Sequence, residues 1–195
     1  MYEIVFIMGK SSSGKDSIYK KLKDDDKLGL TNVVLYTTRP RRDGETDGVE
    51  YNFVTDEKEQ EMEKLNKIIE LRCYNTAYGV WKYFTADDGQ IDLNSGSRYI
   101  VIGTLEAYEQ FISYFGKEHI LPIYIEVDDR IRLQRAIDRE NQQKSPKYIE
   151  LCRRFLADDK DFGEDKLRQA GIVKRFSNNG NIEDCINMIK KEILK

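Results

Sequence analysis

Histidine is almost missing: His119 is the only one in 195 residues. A metal centre of clustered imidazoles is therefore excluded. A Ser-His-Asp triad would have to rest on that one side chain, which reads as part of a loop ahead of a strand. Cysteine is nearly as sparse. Cys73, Cys152 and Cys185 are odd in number, far apart and free of any C-x-x-C spacing, so neither a disulfide framework nor a structural zinc site is expected. Each lies among apolar residues, which predicts buried, reduced thiols in a cytosolic protein. No apolar run approaches the ~20 residues of a membrane-crossing helix. The first residues, Met1 to Gly9, have no basic region and no small-residue cleavage site, so they read as a strand and not as a secretory leader. Basic excess is also lacking: 32 basic against 35 acidic side chains give a net charge of −3, which argues against a general nucleic-acid-binding surface. These absences predict a cytoplasmic protein with no nucleic-acid and no membrane partner, acting as a monomer or homodimer.

What is present suits one globular domain, with 39% hydrophobic and 34% charged residues. Strand-like runs fall at Tyr2–Met8, Asn32–Tyr36, Arg98–Gly103, Leu121–Val127 and Ile172–Phe176. Several are apolar on both faces, as buried parallel strands are. Helical stretches alternate with them. Lys15 to Asp26 turns Ile18 and Leu22 inward, Leu105 to Phe115 carries one apolar stripe, and Asn181 is placed to cap a final helix with Ile182, Ile186, Ile189 and Ile193 on one face. The alternation predicts an α/β fold: a three-layer sandwich around a parallel core sheet, formed by residues 1–36, 86–127 and 162–195. Two stretches interrupt it. Residues 37–85 hold short strands around a charged helix, and residues 128–161 are helical, charged and broken near Lys144-Ser145-Pro146. Most of the arginines fall in these insertions, between Arg39 and Arg42 and between Arg130 and Arg154. In an acidic chain such clustering suggests anions, because the planar guanidinium fork matches phosphate oxygens. Solvated helix faces with i,i+4 ion pairs are the plainer reading for Arg130 and Arg132.

Gly9-Lys10-Ser11-Ser12-Ser13-Gly14-Lys15 fits G-x-x-x-x-G-K, directly after the first strand and at the start of the first helix. In that context the glycines let the backbone wrap closely, so that amides and the helix N-terminus face phosphate oxygens while Lys15 reaches the β/γ-phosphates of ATP. The residue after the lysine, ordinarily the Ser or Thr whose hydroxyl holds Mg²⁺, is Asp16, with Ser17 next. Either side chain could meet Mg²⁺, a hard cation that accepts carboxylate and hydroxyl oxygens alike, or the ion could be held mainly by phosphates and water.

With that loop in place, the segment Thr37-Thr38-Arg39-Pro40-Arg41-Arg42-Asp43-Gly44-Glu45-Thr46-Asp47-Gly48-Val49-Glu50-Tyr51-Asn52-Phe53 closely resembles the T-T-R-x-x-R-x-G-E-x-x-G-x-x-Y-x-F signature of guanylate kinases. Glu70, the pair Tyr78-Gly79 and the arginine-bearing stretch after Ile123–Val127 extend the resemblance over nearly the whole chain. It implies an ATP-dependent nucleoside monophosphate kinase, with GMP as the leading acceptor, a monophosphate-binding insertion and a helical lid. Arg39, Arg42, Tyr51 and Tyr78 then match residues on the acceptor phosphate, and Glu70 matches the carboxylate that reads guanine. Arg135 and Arg139 match lid arginines on the transferring phosphoryl group, with Arg154 a further one on the returning helix.

The departures fall on the base. Leu35 stands where the family has serine, Val80 where it has Ser or Thr, and Ile102 and Thr104 where it has a D-x-D pair. Each lost polar contact is worth about 1–3 kcal/mol when buried, so the expected guanine selectivity is modest. A carboxylate from the Asp87–Asp92 stretch is a candidate substitute. Loss of base readers also suits a ribose bisphosphate kinase, but Glu70 and the two tyrosines favour a nucleotide. Guanylate-kinase-like domains occur as inactive binding modules as well; these usually lose the loop lysine or the lid arginines, which this chain retains.

Overall fold

The computed structural model describes residues 2–76 and 79–195. Its centre is β1 (Ile4–Met8), five apolar residues buried on both faces, the signature of an inner parallel strand. The other strands of this sheet are β2 (Leu30–Asn32), β7 (Arg98–Gly103), β8 (Ile120–Glu126) and β9 (Arg175–Ser177), in the order β2-β7-β1-β8-β9 and all parallel.

Side-chain alternation along β1 divides the core. Ile4, Phe6 and Met8 meet α3 (Leu105–Phe115) and α6 (Glu164–Gln169) on one face. Val5 and Ile7 meet α1 (Lys15–Lys23) and α7 (Ile182–Ile193) on the other. The helices start where polar side chains can take up their free amides. Thr104 caps α3 and Asn181 caps α7, as its position predicts. Helix above, sheet, helix below is the three-layer sandwich expected from the alternation.

The run expected as one strand at Asn32–Tyr36 is divided between two sheets. After β2 the chain leaves the core sheet at Val33–Leu35, and β3 (Tyr36–Thr37) joins a second sheet with β4 (Asn52–Phe53), β5 (Ile68–Thr76) and β6 (Gly79–Ala86), ordered β4-β3-β6-β5. Gln90 bridges the Val34 amide and carbonyl at the crossing, which satisfies backbone groups that no strand pairs there. One face of this second sheet packs Phe84, Tyr36 and Leu71 against Met62 of α2 (Asp56–Lys64). The opposite face carries Glu70, Arg72, Tyr83 and Thr85 from the antiparallel pair β5–β6.

The charged stretch after β8 forms α4 (Asp129–Asn141) and α5 (Tyr148–Asp161), broken at the expected proline. The last strand is shorter than Ile172–Phe176, because Gly171, at φ +75°, turns Ile172 back to donate its amide to the Leu167 carbonyl. The thiols also depart from expectation. Only Cys185 is buried, and burial pushes its pKa up to about 11; Cys73 and Cys152 are exposed. His119 ends a 3₁₀ turn and contacts Glu3 at the edge of the sheet opposite the glycine-rich loop. A catalytic triad is thereby excluded.

Candidate active site

The carboxyl ends of parallel strands are where such folds bind ligands, and β1 ends directly in the loop of residues 9–14. A Cβ on Gly9 would lie 2.7 Å from the Ile125 carbonyl oxygen. Gly14 sits at φ +85°, where a Cβ would fall 2.6 Å from Asn178 Nδ2. Ser12 is also left-handed, at φ +61°. These steps wrap the backbone into an anion-binding concavity. Gly14 caps α1 with no side-chain acceptor, so first-turn amides remain for an anion. Asn178, buried after β9, braces the loop by donating Nδ2 to the Ser13 carbonyl at 2.8 Å. The cradle fits a polyphosphate.

Lys15 and Asp16 leave the loop together, Nζ and Oδ2 being 3.4 Å apart, and both line a cavity of about 380 Å³ between α1 and the second sheet. Ser17 is exposed and is not among the lining residues. Among the described residues no group of three His, Cys, Asp or Glu side chains could hold a metal by itself. The donor set therefore fits Mg²⁺ only with Asp16 joined by phosphate oxygens of a bound nucleotide.

The far wall of the cavity carries Tyr51, Tyr83 and Arg72, with Val34, Leu35 and Ile102 completing apolar sides. Arg39 lies behind Tyr51. Its guanidinium makes a bidentate pair with Glu45 at 2.6 and 2.7 Å and stacks 5.1 Å from the Tyr51 ring. That pairing holds Glu45 down at about 2. Arg42 is exposed, its amide donating to Glu45. Glu70 does not reach the cavity: its oxygens accept from Arg72 Nε at 2.8 Å, Arg72 Nη2 at 3.1 Å and Thr85 Oγ1 at 2.9 Å, and the residue is 1% exposed. Burial opposes the Arg72 charge, but the adjacent Glu70 carboxylate outweighs it and leaves the pKa above its ordinary value. Tyr78 lies outside the described residues. The candidate substitutes Asp87, Asp88 and Asp92 are engaged elsewhere, by Tyr114, Tyr36 and the Asn94 amide, and none lines the cavity.

On the other side of the loop stands the lid. Arg135 donates to the Asn178 carbonyl at 3.0 Å and Arg139 lies 3.4 Å from Ser12 Oγ. With Arg154 from α5, Arg139 lines a narrow cleft over Ser11 and Ser12. Arg139 and Arg154 thus flank the loop, while Arg135, one turn earlier on α4, is held by the Asn178 carbonyl beside it.

Arg132 corrects the reading of a solvated helix face. It is 1% exposed, donates to Asp129 at 2.6 Å and to the Ser11 carbonyl at 3.1 Å, approaches Asp158 at 3.4 Å and stacks on Phe155. Asp158 in turn accepts from the Ser11 amide at 2.9 Å. No local pattern distinguishes Arg132 from its neighbours, because its burial depends on α5 folding back over it. Arg132→Met should destabilise the fold by about 3 kcal/mol, the low end for breaking a buried ion network, since Asp129 and Asp159 keep contact with water. Denaturant midpoints of the two proteins measure it. Asn178 and Arg72 were likewise not foreseen, although the polar run Ser177-Asn178-Asn179 after the last strand was visible.

Comparison with known proteins points one way. The guanylate kinase family model matches residues 1–154. The chain is 30% identical over 171 residues to a guanylate kinase of Mycoplasma mobile, covering 78% of this chain and 82% of that one. It is 32% identical over 150 residues to the Rickettsia prowazekii guanylate kinase, covering 72% and 71%. The crystal structure of guanylate kinase from Anaplasma phagocytophilum superposes with a TM-score of 0.62 over 99% of this chain and 85% of that one, at 19% identity, and so shares the fold. The phosphate loop, the T-T-R signature and the two insertions thus have one explanation: the chain belongs to the guanylate kinase family of phosphotransferases.

Proposed function

We propose that the protein transfers the γ-phosphoryl group of ATP to GMP, yielding GDP and ADP, in the cytoplasm. The observation that carries this reading is the cavity itself. It has Lys15 and Asp16 on the phosphate-loop side and Tyr51 of the T-T-R segment on the other, so a triphosphate and a monophosphate would meet across it. An oxygen of the acceptor phosphate forms the new bond to the γ-phosphorus as the bond to the β-phosphate oxygen breaks, so no protein nucleophile is needed. Lys15, Arg135, Arg139 and Arg154 stabilise charge on the transferring group. Bound Mg²⁺, beside Asp16, would neutralise phosphate charge. Arg42, Tyr51 and Tyr78 are assigned to the acceptor phosphate; Arg39, paired with Glu45 behind Tyr51, would have to release that carboxylate to join them. Closure of the two insertions excludes water and suppresses ATP hydrolysis.

A coupled ADP-release assay across GMP, dGMP, AMP, CMP, UMP and ribose 1,5-bisphosphate tests the assignment. GMP should give the highest kcat/KM; ribose 1,5-bisphosphate ahead of every nucleotide would overturn it. Arg42→Ala should raise the KM for GMP by about 10-fold or more with less effect on kcat, because its partner is already dianionic in the ground state. Unchanged KM would remove Arg42 from the acceptor site.

A further inference from the structure

We propose that Arg72 is the specificity-determining residue for the acceptor's base, and that it reads the O6/N7 edge of a 6-oxopurine. The proposal rests on the acceptor being a purine nucleotide, as argued above.

Glu70 holds the position from which the family's carboxylate would accept guanine's N1–H and N2 amino group, yet both its oxygens are committed. Arg72 takes one edge of the carboxylate through Nε and Nη2, and Thr85 adds a third hydrogen bond to Oε1. The Arg72 side chain is 10% exposed and that of Glu70 1%, so a base reaching Glu70 would first have to break a buried ion pair, a strongly unfavourable step.

Arg72 itself reaches the cavity. Glu70 occupies Nε and one Nη2 hydrogen, and an arginine has more N–H donors than this partner uses. The other cavity cations lie on α1: Lys15 beside Asp16, at the phosphate loop, and Lys23 beside Asp24. The cavity that Arg72 lines also carries Val34, Leu35, Ile102 and the Tyr51 and Tyr83 rings, with Asn32, Glu50 and Thr104 among its polar groups. Apolar and aromatic walls with a few polar groups suit a planar heterocycle.

A guanidinium edge offers paired donors and therefore selects paired acceptors. Guanine presents them at O6 and N7; adenine presents N7 beside an amino donor and is rejected. Hypoxanthine carries the same O6/N7 edge as guanine and lacks only the N2 amino group, which this arrangement leaves unread. The pocket should accordingly accept 6-oxopurines as a class. The bidentate Glu70 contact would then orient the guanidinium, giving Glu70 a positioning role.

The unmodified protein provides the decisive comparison, as kcat/KM for GMP, IMP, AMP and 7-deaza-GMP with saturating ATP and Mg²⁺. IMP should match GMP within about 3-fold, while AMP and 7-deaza-GMP fall by about 10–100-fold, the range expected for losing a bidentate base contact. Arg72→Met should shrink the GMP-over-AMP ratio by about 10-fold or more, with circular dichroism and thermal melting checking the fold. If that variant fails to fold, the analogue series decides alone. Rejection of IMP with good use of GMP, or 7-deaza-GMP used as well as GMP, overturns the Arg72 assignment and leaves the kinase reading intact. Absence of turnover with GMP and IMP alike overturns the kinase reading and this inference with it.

Discussion

Arg139→Ala should lower kcat by roughly 10²–10⁴-fold while changing the Kd of either nucleotide far less. Arg139 lies in the last turn of α4, its guanidinium 3.4 Å from Ser12 Oγ, and shares a cleft with Arg154 above the phosphate loop. A guanidinium there meets the phosphoryl group most strongly when charge spreads over it during transfer, so its loss weakens the transition state more than the bound ground state. The plain alternative is a surface ion pair with a neighbouring acid, although Asp138 and Glu140 each already accept one hydrogen bond from another group. Asp138 accepts from Gln134, and Glu140 accepts from the Lys147 amide. Were Arg139 merely a surface charge, its removal would cost about 0–1 kcal/mol of stability and leave turnover intact. Steady-state kinetics with calorimetric binding separate the two, and an unchanged kcat would remove Arg139 from the lid's catalytic role.

The second large effect belongs to Lys15. Lys15→Ala should reduce kcat by on the order of 10²-fold or more, because it deletes the positive charge at the mouth of the phosphate loop where charge develops. The fold should survive. Lys15 opens α1 with its side chain toward the cavity and Asp16, whereas the core contacts of this helix are made by Ile18 and Leu22. The measurement is ADP release beside a thermal melt. A melting curve near that of the parent with turnover also near that of the parent would exclude Lys15 from the reaction.

The chemistry of the loop was legible in the sequence because its geometry is local. Two glycines and a lysine at fixed spacing, between an apolar strand and an amphipathic helix, leave few other conformations. The three layers were legible for a similar reason: Ile4 to Met8 is apolar without alternation, and the stripes of α3 and α7 have one period. What escaped was long-range. Val33–Leu35 looks like strand, yet the chain must pass between two sheets there, and Gln90, over fifty residues later, supplies the missing hydrogen bonds. Glu70 was legible as a candidate but its partner was not, since strand alternation places Arg72 beside it while only the packed structure shows which of the two lines the cavity. The same limit applies to Cys73 and Cys152, which are exposed although apolar residues lie close to them in sequence.

The buried Arg132 also determines where the molecule can bend. Ser11 is gripped twice from the lid, its carbonyl by Arg132 of α4 and its amide by Asp158 of α5. A lid built of α4 and α5 would therefore turn about a residue of the phosphate loop itself. The distal turn at residues 142–147 is wholly exposed, while the roots of both helices are tied to Ser11. In a hydrogen-exchange measurement, amide protons near Arg132 and Phe155 should exchange slowly and those of the distal turn fast.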